Sequence, residues 1–311
     1  MNTPSNAVPE SPLDSQAIAP AAMSETRPMY WSVRRELWEN RSIYITPLAV
    51  AVLVLLGFLI SAINLPHSMR AALALDPALQ RAAIEKPYDI AAMLTILTAF
   101  IVGVFYCLDA LHGERRDRSI LFWKSLPVSD LTTVLSKASI PLVVLPLLVF
   151  AIIVATQLVM LLVATAVLLG NGVSAAVLWS QLPLFQMSLA LLYGLTVITL
   201  WYAPIYGWLL LVSGWARRTT FLWAMLPPLA LCVVEKIAFN TSYFASLLKY
   251  RLIGWFTQAF VFEAHGNVPA DPLTQLTPGN FLSTPGLWIG LAFAAAFLAA
   301  AARLRRYREP I

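Results

Sequence analysis

Residues 138–216 read ASIPLVVLPLLVFAIIVATQLVMLLVATAVLLGNGVSAAVLWSQLPLFQMSLALLYGLTVITLWYAPIYGWLLLVSGWA, 79 positions without a single Asp, Glu, Lys or Arg. No water-soluble core requires so long an uncharged run. A bilayer does, because a charge at its centre costs about 2.5–3.5 kcal/mol. The breaker Gly170-Asn171-Gly172 divides the run. Each half is long enough to cross about 30 Å of hydrocarbon, which takes some 20 apolar residues. The predicted spans are 140–169 and 183–213.

Outward from this stretch, four more apolar windows meet the same length criterion: 44–65 and 90–111 before it, 221–239 and 285–302 after it. The whole chain agrees, with 311 residues, 59% hydrophobic and 12% charged, against about a quarter charged in soluble domains. The expected fold is therefore an all-α integral membrane protein with about six transmembrane helices. Pro141, Pro146, Pro204, Pro227 and Pro228 fall inside these windows, where they predict kinks. Cys107 and Cys232 also lie in apolar segments and are expected to be small buried hydrophobes, with neither a disulfide nor a zinc site between them.

Orientation follows from the placement of Lys and Arg. Of 21 such residues, 15 fall in the N-terminal segment, the second loop, the fourth loop and the C-terminal tail, and five on the other side. The basic side is cytoplasmic by the positive-inside rule, so both termini are expected there. A net charge of +5 thus reports topology and not nucleic-acid binding. Trp201, Tyr202, Tyr206, Trp208 and Trp215 cluster toward the cytoplasmic half of the fourth span and read as headgroup-level anchors.

The remaining segments do not span. Residues 1–27, rich in Pro, Ser and Ala, are expected to be a disordered cytoplasmic tail. No cleavable signal is expected, since the first apolar run begins near Ile43. Residues 28–41 place Met29, Tyr30, Val33, Leu37 and Trp38 at helical spacing among Arg34, Arg35, Glu36 and Glu39. This pattern predicts an amphipathic interfacial helix. The outer loop 240–284 is too long for a turn and is expected to hold short interfacial or re-entrant helices. Residues 303–311 form a basic cytoplasmic tail.

The loop 112–137 reads HGERRDRSILFWKSLPVSDLTTVLSK. A short helix is expected from Asp117 or Arg118 to Leu126, stopped by Pro127, with Ser129 capping the next helix. Its apolar block, Ile120, Leu121, Phe122 and Trp123, sits between Arg118 and Lys124. Such a block needs burial, either among lipid headgroups or in a groove of a soluble partner. The run from Glu114 to Ser129, with its Phe-Trp-Lys-Ser-Leu-Pro-Val-Ser core and Lys137 beyond it, resembles the loop between the first helix pair of ABC-2 type ABC transporter permeases. The six-span layout, the helix before the first span and the long last outer loop extend that resemblance. It implies a coupling helix that docks in a cleft of a separate ABC ATPase subunit. On that reading Ile120, Leu121, Phe122 and Trp123 are the apolar anchor, and Glu114, Arg115, Arg116 and Arg118 make polar contacts. It further implies a homodimer or a pair with a related permease subunit, surrounded by membrane lipid. ATP and Mg would sit on the partner ATPase and not on this chain, and the setting would be the bacterial plasma (inner) membrane, with export the expected direction.

Other functions are poorly served by the residues present. No Gly-Lys dipeptide occurs, so no phosphate-cradling loop is expected, and His67, His112 and His265 stand apart without a zinc motif. Intramembrane ionisable residues are functional candidates by default; here they are Asp109, Glu235 and Lys236, all near span ends. A secondary carrier would need charges at mid-membrane in two repeated halves. An intramembrane lipid-acting enzyme would need acids that converge, whereas Asp109 and Glu235 are expected on opposite faces. A membrane scaffold without transport activity is the remaining alternative.

Overall fold

The computed structural model describes residues 26–117, 129–260 and 272–307. Among them every regular element is helical, apart from one isolated antiparallel bridge between Phe260 and Leu276. The elements are α1 (Thr26–Glu39), α2 (Ser42–Ala62), α3 (Leu65–Leu73), α4 (Pro77–Ala110), α5 (His112–Arg116) and α6 (Asp130–Ser139). A π-turn (Ile140–Val144) leads into α7 (Leu145–Gly170), followed by α8 (Ala176–Gln181), α9 (Leu184–Trp215), α10 (Thr220–Phe239) and α11 (Tyr243–Ala259). A 3-10 turn (Pro272–Gln275), α12 (Pro278–Ser283) and α13 (Pro285–Tyr307) complete the described residues.

Six helical stretches are long and apolar enough to cross a membrane: Ser42–Ala62, Leu79–Arg116, Asp130–Gly170, Leu184–Trp215, Thr220–Phe239 and Pro285–Tyr307. This is a multi-pass helical membrane protein. The windows expected from hydropathy are all occupied, but two helices outrun them. Helix α4 of the second span begins at Pro77 and tolerates Pro87 in its interior, and the third starts with α6 and runs unbroken to Gly170. Pro141 lacks an N–H and clashes with the preceding turn, and the backbone there widens into the π-turn without breaking the helix.

The core forms where α4, α7 and α9 pack on one another, with α2 against α4 and α7 and α13 along α9. Tyr106, Cys107, Leu145, Val149, Ile153, Tyr206 and Leu210 fill its centre. A second cluster toward the other end joins Phe58, Tyr88, Met160, Leu161 and Leu168. Association of apolar helices in lipid depends on close backbone approach. Gly207 supplies it, since a Cβ there would meet the Ala294 carbonyl oxygen on α13 at 3.3 Å. The outer faces of the spans carry exposed Leu, Ile, Val and Phe, the surface a bilayer would cover. Helix α10 is the most peripheral span, with 6% of its apolar window buried. Left-handed residues bracket it, Thr219 at φ 47° and Asn240 at φ 51°, so the chain reverses sharply at both ends.

The long loop after α10 contains α11 and α12, and α11 folds back onto α9. The Trp201 indole donates to the Arg251 carbonyl at 2.8 Å, and the Tyr202 hydroxyl to the Leu252 carbonyl at 2.7 Å. This corrects the reading of the α9 aromatics as headgroup anchors. Trp201 has no exposure at all and Tyr206 is buried. Trp208 is tied to the Ala224 carbonyl on α10 at 3.1 Å. Only Trp215 stays exposed, packed edge-on against Trp223. A buried indole or phenol needs a partner for its polar atom, and the turn back of α11 provides it.

Candidate functional site

The basic end of the bundle holds a buried network of ionised side chains drawn from four elements. Glu36 on α1 is its centre and has no solvent exposure. One of its carboxylate oxygens accepts from Lys137 Nζ and from Arg35 Nη2, both at 2.8 Å. The other accepts from the Tyr106 hydroxyl on α4 at 2.9 Å. Glu114 on α5 is the second acid. It lies 3.1 Å from Lys137 Nζ and 3.1 Å from Arg35 Nη2 through one oxygen, and 3.1 Å from Arg305 Nη2 through the other. Arg305, near the end of α13, also pairs with Asp130 at the start of α6 at 2.8 Å. Arg35 also lies 3.7 Å from Glu39, half-exposed at the edge of the network. Each buried carboxylate thus has at least two cationic or hydroxyl partners, the condition under which buried ions are tolerated.

The local sequence explains how each group arrives. On α1, Val33 and Leu37 pack against the core. Glu36 shares their face because residues three and four apart on a helix are neighbours. On α6, Ser129 accepts from the Thr132 amide at 3.0 Å as the helix cap expected for it. That cap fixes the phase that turns Val134, Lys137 and Ala138 inward. Tyr30, Trp31 and Trp38 point away from the protein, and Arg34 sits 5.3 Å from the ring centres of both Trp31 and Trp38. The stripe expected to be apolar is therefore split: Val33 and Leu37 pack inward together with Glu36, while Tyr30 and Trp38 lie on the outer side. Burial pushes the Glu36 carboxyl up, yet the Lys137 ammonium and the Arg35 guanidinium outweigh it and hold it below the ordinary carboxylate value. Burial raises Glu39, half-exposed on the same helix.

Helix α5 is locked to the end of α9. The Ser213 hydroxyl accepts from the amides of Leu111 and His112 at 3.0 and 2.9 Å. Arg115 Nη1 donates to the carbonyls of Gly214 and Ala216 at 2.9 and 3.2 Å, where a helix C-terminus has unpaired acceptors and negative dipole.

The residues expected in a coupling element therefore divide. Glu114 and Arg115 face inward, buried, and brace the base of the loop; they do not offer their charges to solvent. Arg116 is exposed beside Asp117 and 3.7 Å from Asp109. Arg118, Ile120, Leu121, Phe122 and Trp123 lie outside the described residues. Of the intramembrane candidates, Asp109 is a surface partner of Arg116. Glu235 instead receives the amides of Tyr243 and Phe244 and the Thr241 hydroxyl at 2.6, 2.8 and 2.8 Å, capping α11. Lys236 is exposed, and its carbonyl accepts the Asn240 amide. Asp109 and Glu235 do not converge.

Sequence reading missed Glu36, Tyr106, Asp130 and Arg305 as partners. One signal was present: Glu36 falls on the apolar stripe of its helix, and Lys137 falls on that of α6. A charge on a buried stripe requires a counter-ion somewhere in the fold. The chain matches no known family model, and no curated protein matches it.

Proposed function

We propose that the chain is the membrane subunit of an ABC-2 type transporter, driven by a separate ATPase docked on the basic, cytoplasmic face. The observation that best supports this reading is the charge network and where it sits. The loop 118–128 leaves the described structure at Asp117 and re-enters at Ser129. Both roots are held: Glu114 and Asp130 pair with the same Arg305 side chain. A push on the loop would reach α4, α6, α13 and the interfacial α1 together, as coupling to ATP hydrolysis requires. Hydrolysis itself belongs to the partner, and the spans supply the pathway, paired with a second copy or a related subunit. Asp109 and Glu235, the acids on which an intramembrane enzyme would draw, are engaged at surface and capping positions.

A photo-crosslinking amino acid placed at position 122 of the full chain in its native membrane tests the proposal. It should trap a protein carrying a phosphate-binding loop. Crosslinks to lipid alone would put the loop among headgroups and overturn the reading.

A further inference from the structure

Trp31, Arg34 and Trp38 follow one another at three- and four-residue spacing on the side of α1 turned away from the protein. Both indoles are exposed, by 58% and 71%, and the Arg34 guanidinium lies 5.3 Å from each ring centre. Arg41 stands exposed at the joint between α1 and α2. The side chains of Arg34 and Arg41 form no ion pair or hydrogen bond among the described residues. Arg35 differs, because its guanidinium turns to Glu36, Glu114 and Glu39. Glu39, the exposed acid of α1, is thus drawn off this face, about 100° round the helix from Trp38.

The depth of the face is fixed by what α1 and α2 touch. Glu36 is tied to Tyr106, near the end of α4, and to Lys137, near the start of the third span. Those bonds hold α1 level with the ends of two spans. Ile45, the first exposed apolar residue of α2, follows Arg41 by four residues, about 6 Å along a helix. A headgroup layer is about 5–8 Å thick on each side of the hydrocarbon. Arg41 therefore falls within that layer, and the outer face of α1 beside it.

We propose that this face binds the headgroup phosphate of an anionic phospholipid, one of the phosphatidylglycerol type that carries no cation of its own. A guanidinium against an aromatic face keeps its in-plane N–H groups for an acceptor, and their fork matches two phosphate oxygens. The indoles settle at headgroup level, where amphipathic rings are favoured. A choline headgroup is disfavoured, because Arg34 occupies the space between the two rings that a quaternary ammonium would take, and like charges repel. The inference does not depend on an ATPase, since every group it uses belongs to this chain.

The test places a photo-crosslinking amino acid at Tyr30, whose ring centre is 5.6 Å from that of Trp31. The full-length protein is reconstituted in nanodiscs of phosphatidylcholine with about one-tenth phosphatidylglycerol, and the lipid adducts are identified by mass spectrometry. The adduct ratio of phosphatidylglycerol to phosphatidylcholine should exceed the bulk ratio about 25-fold, about fivefold for each arginine beside an anionic headgroup. Arg34→Gln should lower this enrichment about fivefold and Arg34→Gln/Arg41→Gln should abolish it, with the melting temperature unchanged. Arg217→Gln/Arg218→Gln, exposed at the same end of the bundle, should leave it within about twofold. Adducts at the bulk ratio, adducts to no lipid, enrichment that survives the double change, or an equal loss on changing Arg217 and Arg218 would each overturn the proposal. Displacement of the lipid adducts by inorganic phosphate would also overturn it, by marking a site for the free ion.

Discussion

Lys137 and Glu36, 101 residues apart in sequence, meet at 2.8 Å with almost no exposure on either side chain. The contact joins α1, the helix ahead of the first span, to the root of the third span. Removing one partner of a buried pair leaves the other charge uncompensated, at a cost of about 3–5 kcal/mol. Lys137→Met should therefore lower the melting temperature of the detergent-solubilised protein markedly. Combining it with Glu36→Gln should cost less than the two single changes added, with a coupling of about 0.5–3 kcal/mol. Strict additivity would mean that the ion pair contributes nothing.

The same acid gives the network a pH dependence of known sign. Glu36 is held below its unfolded value of 4.5. Its stabilising contribution is complete above that value and is lost as pH falls through the lower, folded one. Glu39, raised by burial, acts in the opposite sense over the neighbouring range. Thermal melts between pH 7 and pH 3 should show a loss of stability below about pH 4.5 that is reduced in Glu36→Gln. An identical acid profile in that variant would assign the loss to other carboxylates.

A different, half-buried cation braces the outer half. The Arg251 guanidinium lies 4.7 Å from the Trp201 ring centre and donates to the Gly286 carbonyl at 3.0 Å. A Cβ on Gly290 would collide with that guanidinium. Gly290→Ala should thus cost about 1–3 kcal/mol by overpacking, and Arg251→Met should make the same substitution nearly neutral. If Gly290→Ala is harmless in the wild-type background, Arg251 does not occupy the notch on α13.

Glu235 provides a test between a cap and a proton carrier. As a cap on α11 it accepts two backbone amides. Glu235→Gln keeps an acceptor oxygen and should leave protease resistance of the outer loop close to wild type. Glu235→Ala should speed cleavage between residues 240 and 260. Equal protease resistance of Glu235→Ala and wild type would remove the capping role.

The spans were legible because a bilayer imposes a rule each residue obeys separately. The uncharged run, the Gly170-Asn171-Gly172 break and the Ser129 cap all reappear in the structure, with α7 ending at Gly170 and Gly172 at φ 67°. Long-range pairings obey no such local rule. Trp201 looked like a headgroup anchor because its indole partner lies 50 residues on, in a helix whose return path hydropathy does not encode. Glu36 looked like part of a solvated face because Lys137 and Tyr106 are reached only through the fold. Basic residues counted for topology, such as Arg305 and Arg115, proved to be structural ties as well.

The docking of an ATPase through the loop is tested most directly by recovery of that subunit. Tagged full-length protein and its Phe122→Asp/Trp123→Asp variant are purified side by side from native membranes, and ATP hydrolysis and bound P-loop ATPase are measured. Stoichiometric ATPase should accompany the wild type and none the variant, at an unchanged melting temperature. Wild-type protein that carries no ATPase, or a variant that retains it in full, would rule out docking through this loop.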